Sequence, residues 1–154
     1  MSRSALVLPA LALALGLALT GCGGSDGSDS DAKSDAPAIS HDDFVEQANA
    51  ICADANADLQ AAGADLGTNP TQDDLVAFIS DTAVPNFQGQ HDAIAELGVP
   101  EGHEDDVDAL LDALQDGIDK VTDDPDGAVS PDVDPFQDAN AAATELGLTD
   151  CASS

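Results

Sequence analysis

The sequence predicts an all-α domain: an antiparallel four-helix bundle, its second helix kinked or split at Pro85, closed by one disulfide. Three observations predict the helices. Apolar residues recur at steps of three and four through most of residues 40–154, the spacing that lines one face of a helix. No segment alternates apolar and polar residues in the β-branched-rich manner of a half-buried strand. Three of the four apolar runs open on Ser, Thr or Asp with an acid or amide three residues on, and runs end near Gly or Pro.

Ser40-His41-Asp42-Asp43 reads as the first helix start, with carboxylates in the turn where the helix dipole favours them. Phe44, Ala48, Ile51, Cys52, Ala55, Leu59, Ala62 and Leu66 share its apolar face. The helix frays at Gly63–Gly67 and is over by Pro70. Thr71-Gln72-Asp73-Asp74 repeats the capping pattern, and Leu75, Phe78, Ile79, Thr82, Phe87, His91, Ile94 and Leu97 follow at helical spacing. Pro85 falls inside this run, where its missing N–H and its ring disturb a helix. Gly98-Val99-Pro100 ends it.

A third helix is expected from about Glu104 to Val121. Val107, Leu110, Leu111, Leu114, Ile118 and Val121 form its inner face, and Asp105, Asp108, Asp112, Asp116 and Asp119 its outer one. Asp123-Asp124-Pro125-Asp126-Gly127 stops it, and the chain reads as loop through Val133. The last helix opens with Asp134 as cap, Pro135 at the first position and Gln137 as capping-box amide. Phe136, Ala139, Ala143 and Leu146 face inward, Gly147 ends the helix, and Leu148 and Cys151 fold back.

The start of the chain reads as targeting rather than fold. Arg3 precedes an apolar run, Ala5–Leu19, of about 15 residues, shorter than the ~20 a membrane-spanning helix needs. The flank beyond it is Gly and Asp, unlike a basic stop-transfer segment. Leu19-Thr20-Gly21-Cys22 resembles the lipobox of bacterial lipoproteins. That resemblance implies cleavage between Gly21 and Cys22 and a diacylglyceryl group on the Cys22 thiol. Without a twin arginine, the general secretion route is expected. One acyl chain binds a membrane only marginally, with an association constant of about 10⁴ per molar; two on one residue make a stable anchor. The division is then residues 1–21 as lipoprotein signal, 22–39 as lipidated cysteine and linker, and 40–154 as helical domain. The linker is Gly, Ser, Asp and Ala with no apolar period, a composition that cannot bury a core.

Acidic residues number 31 against 3 Lys plus Arg, a formal charge of −28 that becomes one unit more negative when Arg3 leaves with the signal. Such a surface repels nucleic acid and anionic lipid headgroups, so nucleic-acid binding is excluded. The load is mostly aspartate, which fits salty surroundings where ions screen self-repulsion. Of three cysteines, lipidation would consume Cys22. Cys52 and Cys151 remain, and outside the cytoplasm such a pair forms a disulfide.

Phe44-Val45-Glu46-Gln47-Ala48-Asn49-Ala50-Ile51-Cys52, Leu97-Gly98-Val99-Pro100 and Leu146-Gly147-Leu148-Thr149-Asp150-Cys151 are similar to segments of small helical lipoproteins and secreted proteins of high-GC Gram-positive bacteria. The resemblance implies the helical fold and the disulfide; it implies no activity.

No constellation of catalytic residues emerges. His41, His91 and His103 lack metal-ligand spacing; His91 falls in line with an apolar face, and the other two sit exposed near helix starts. Thr122–Val133 has Asp124, Asp126 and Gly127 in the manner of a calcium loop, but Thr122 and Val133 stand where an EF-hand needs acids. The aspartates of the third helix read as a solvated face. Asn49 and Asn56 flank Cys52 and are placed to hydrogen-bond the backbone of the Gly147–Cys151 turn. The expectation is therefore a non-enzymatic lipoprotein without cofactor, bound to the membrane through Cys22 and meeting an extracytoplasmic partner. The alternative is binding of divalent cations or a cationic ligand through acidic helix faces.

Overall fold

The computed structural model describes residues 39–130 and 132–152. These form α1 (His41–Asp65), α2 (Gln72–Phe78), a π-helical segment (Ile79–Ala83), α3 (Val84–Glu96), α4 (Glu104–Asp123), α5 (Pro125–Ala128) and α6 (Gln137–Leu146), with no strand among the described residues. The all-α expectation and the Cys52–Cys151 disulfide both hold.

The helix starts follow the local chemistry. The Ser40 hydroxyl accepts the Asp43 N–H at 3.1 Å and donates to the Asp43 carboxylate at 2.6 Å. At α2 the exchange is complete. Thr71 Oγ1 accepts from the Asp74 N–H at 3.2 Å, while the Asp74 carboxylate accepts from the Thr71 N–H at 2.9 Å and its hydroxyl at 2.7 Å. Two orphan amides of the first turn are thereby satisfied. The hydroxyl and amide of Thr71 hold the Asp74 carboxyl below the ordinary carboxylate range. In α4, Glu104, Asp105 and Asp106 occupy the first turn and Lys120 the last, matching the helix dipole at both ends.

Three details differ from the sequence expectation. The run from Gln72 to Glu96, expected to kink or split at Pro85, divides just before that residue, through a π segment between α2 and α3. Pro85 has no N–H for the Asp81 carbonyl, and its ring crowds that carbonyl. The wider π register, in which the Val84 N–H bonds the Ile79 carbonyl, relieves the conflict without ending the helix. The stretch before Val133 is not all loop, because the Asp124 carboxylate accepts the Gly127 N–H at 2.9 Å and caps the four-residue α5. Asp134 does not cap α6 at its third amide. Its carboxylate accepts the Phe136 N–H at 3.0 Å, shaping a turn over Pro135 and Phe136, and the helix begins at Gln137.

The core falls into two clusters that fix the helix directions. One gathers Phe44, Ala48 and Cys52 from early α1, Ile94 from late α3, Val107 and Leu110 from early α4, Ala143 and Leu146 from the end of α6, and Leu148 just beyond it. The other gathers Ile118 and Val121 from late α4 with Phe136 and Ala139 at the start of α6, packed against Val84 and Phe87 of early α3. Successive long helices therefore run in opposite directions, the up-and-down order that short connections favour. Full burial of a Phe or Leu contributes about 1.5–3 kcal/mol, so Phe44 and Leu148, both 0% exposed, weigh heavily in this small core.

Phe136 lies flat against α4 where Gly117 offers no side chain. A Cβ there would overlap the ring, which is itself held by Phe87 at a centroid distance of 4.5 Å. Gly117→Ala is expected to destabilise by about 1–3 kcal/mol despite alanine's better helix propensity. Gly89→Ala on α3, with open space around its Cβ position, is expected to stabilise by up to about 1 kcal/mol. Urea unfolding of the two variants checks both signs, and destabilisation by each would contradict this packing. The Thr71–Asp74 exchange adds a pH signature. A carboxyl whose folded pKa is lowered contributes stability above the unfolded pKa and loses it as the pH falls through the folded value. Asp74→Asn should therefore flatten the fall in unfolding temperature below about pH 4 relative to the parent chain.

Candidate functional site

Chemistry-bearing residues of the domain gather at three places. The first joins the two ends of the folded chain. Gly147 adopts the left-handed conformation, with φ 81°, at the end of α6. The Leu148 N–H returns to the Ala143 carbonyl at 2.8 Å and the Gly147 N–H to that of Thr144 at 3.1 Å. This Schellman turn drives Leu148 into the core and carries the chain back across α1. Cys151 then meets Cys52, with Cα atoms 5.0 Å apart, within the range a disulfide spans. On one side Asn49 Oδ1 accepts the Asp150 N–H at 2.9 Å. On the other, Asn56 Nδ2 donates to the Asp150 carbonyl at 2.9 Å. Asn49 Nδ2 also lies 3.5 Å from the Gly147 carbonyl. The two amides one helical turn to either side of Cys52 thus read the backbone of the turn, as their spacing predicts. The chemistry here is structural: a buried disulfide flanked by hydrogen bonds to main chain.

The second place was not legible as a cluster. His41 and His103, 62 positions apart, stack with ring centroids 4.2 Å apart and planes inclined by 29°. The stack joins the starts of α1 and α4, and His103 Nδ1 lies 3.1 Å from Asp106 Oδ2. His91 stays apart, half-buried, with Nδ1 3.0 Å from Asp92 Oδ1. The His91 contact, then the Gln88 amide, hold the Asp92 carboxyl below the ordinary range. Among the described residues no three His, Cys, Asp or Glu side chains are arranged to hold a metal ion.

The third place is the core between the two clusters. Gln90 is 4% exposed there, beside the disulfide and Phe87. Its Nε2 donates to Asn86 Oδ1 at 3.0 Å, and Asn86 Nδ2 donates to the Ala55 carbonyl of α1 at 3.2 Å. The sequence reading placed His91 in line with an apolar face, and it is half-buried there with Asp92 as its partner; the fully buried line runs through Ala83, Gln90 and Ile94. Asn86 and Gln90, four apart on a helix, were the available signal. A cavity of about 20 Å³ adjoins Gln90, room for one water and no larger molecule.

The remaining candidates stay apart. Asp105, Asp108, Asp112, Asp116 and Asp119 are all exposed along α4. Of the residues resembling a calcium loop, Asp124 caps α5, while Asp126 lies 3.5 Å from the Gln72 amide. Cys22, the preceding Leu19-Thr20-Gly21 and the linker to residue 38 lie outside the described residues. No helix among those described is long and apolar enough to cross a membrane.

Removing the disulfide with Cys52→Ala/Cys151→Ala is expected to lower stability by about 2–5 kcal/mol. Asn56→Ala should cost about 0.5–1.5 kcal/mol in the parent and less in the cysteine-free chain, since the turn it holds is then already released. Denaturant midpoints of the four proteins give the coupling; full additivity would show the amide and the disulfide to be independent. As to likeness, no family model matches this chain, and neither the curated proteins nor the solved structures contain a match.

Proposed function

We propose that the chain is an extracytoplasmic lipoprotein, held in the membrane through a diacylglyceryl group on Cys22, whose helical domain works by binding a partner rather than by catalysis. The disposition of the cysteines carries the reading. Cys52 and Cys151 are joined to each other, which leaves Cys22 as the third cysteine of the chain, directly after an apolar run and two small residues. A disulfide closing almost the whole domain belongs to an oxidising compartment. The intervening residues, Gly, Ser and Asp for the most part, would serve as a tether between Cys22 and the domain.

A binding role is supported by the side chains themselves. Both domain cysteines are consumed in the disulfide, and His91 and His103 each face a surface aspartate rather than a nucleophile. The alternative of a cationic ligand draws support from the charge of −28, whereas the spread of the α4 aspartates argues against a chelating divalent site.

Mass spectrometry of the protein from bacterial membranes tests the reading. The expected result is a processed N-terminus at Cys22 bearing the diacylglyceryl group, and release of Cys22→Ala into the medium. Exported protein with an unmodified Cys22 thiol would overturn it.

A further inference from the structure

The bundle is closed unevenly. Early α1 is sealed, with Phe44, Ala48 and Cys52 at 1% exposure or less. Its second half is not: Leu59, Ala62 and Leu66 are only half-buried. The element that follows fails to cover them. No residue of α2 is buried, and α2 packs chiefly on its own π continuation and on α5, not on α1. The bridge between them is the Phe78 ring, which approaches α1 at Gly63. What remains is an open groove of about 400 Å³, floored by Ala62, Leu66 and Phe78 and rimmed by Asp65, Asp74 and Asp81. An apolar strip bordered by carboxylates is the pattern of a contact surface.

The charge selects the occupant. Asp74 is engaged by Thr71, so Asp65 and Asp81 are the carboxylates ready to meet a cation. Asp65 also ends the 25-residue α1, whose last turn has no basic residue, so the negative pole of the helix faces this end uncompensated. A second copy of the chain would bring another −28 to the contact, and the chain's own linker is itself acidic and lacks apolar period. Both are repelled. A segment with an apolar stripe for Leu66 and Phe78 and Lys or Arg flanking it satisfies floor and rim together. We propose that the groove between the second half of α1 and the α2–π run docks a cationic amphipathic helix of a partner protein. The proposal rests on the binding role above and names the surface and the partner's chemistry.

The test uses the full chain in neutral detergent and two 18-residue peptides of identical Leu and Lys composition. In one the leucines fall at helical spacing; in the other they are scrambled. Fluorescence anisotropy should show the amphipathic peptide binding at least about tenfold more tightly than the scrambled one. Asp65→Lys/Asp81→Lys should remove at least about tenfold of that affinity, while Asp112→Lys/Asp116→Lys, an equal charge change on α4, should remove no more than about threefold. Amide shifts on peptide addition should centre on Leu66 and Ala77. Equal binding of the two peptides, or equal losses in the two double variants, would reduce the effect to general attraction by an acidic protein and overturn the proposal. Self-association through the groove, read by sedimentation of the protein alone, would overturn it as well. Acylation of Cys22 enters none of these measurements, so a failure here is distinguishable from a failure of the lipid anchor.

Discussion

The bond between Cys52 and Cys151 is the constraint on which the rest of the domain depends, because the helices alone do not complete the bundle. α4 packs on α6 and on α3, and α3 packs on α1, while α1 meets α6 through core side chains rather than through close backbone approach. The first and last helices are joined by the turn that follows α6. Gly147 turns the chain, Leu148 plugs the core, Asn49 and Asn56 hold the main chain at Asp150, and the disulfide fixes the whole to the middle of α1. Each of these features needs the others. Asn56 can reach the Asp150 carbonyl only if the turn lies across α1, and the turn lies there because the Schellman motif aims Leu148 inward.

This closure matters more in a chain of this charge. A net −28 favours any state in which the carboxylates spread apart, and the compact fold is the state in which they are closest. A crosslink spanning 99 positions acts on the unfolded side of that balance. It limits how far the unfolded chain can expand, and so reduces both the conformational entropy and the electrostatic relief that unfolding would gain. The surface makes its own local concessions: acids cluster in the first turns of α1, α2 and α4, where the helix dipole favours them, and Lys120 sits in the last turn of α4.

Much of this architecture was legible in the sequence because it rests on local rules. The spacing of Phe44, Ala48 and Cys52, the Ser40 and Thr71 caps, the Gly147 stop and the reach of Asn49 and Asn56 each follow from a few adjacent residues. What could not be read depended on contacts between distant ones. The stacking of His41 on His103 required α1 and α4 to start side by side. The burial of Gln90 in place of His91 required knowing how α3 is rotated, and a single polar residue on a mixed face does not reveal that. The outcome at Pro85 turned on whether the chain would break its helix or widen it. With Ile79 and Val84 both packed beside the cluster of Ile118, Val121, Phe136 and Ala139, continuing the helix in π register keeps them there.

The two ends of α1 thus carry different duties, and the difference has a physical origin. Around its first half, the Schellman turn, the disulfide and the ends of α3 and α6 converge, so Phe44, Ala48 and Cys52 are buried. Around its second half, the element next in sequence is α2, a seven-residue helix whose apolar positions are Leu75, Val76, Ala77 and Phe78. Seven residues make two turns, too few to cover Leu59, Ala62 and Leu66 while also rejoining α3 through the π segment. The apolar face is left half-covered by the length of α2, not by any lack of apolar residues on α1. A longer α2 would have closed the bundle and erased the groove. The chain instead places Asp65 and Asp81 beside it, so this half-buried apolar strip is bordered by carboxylates.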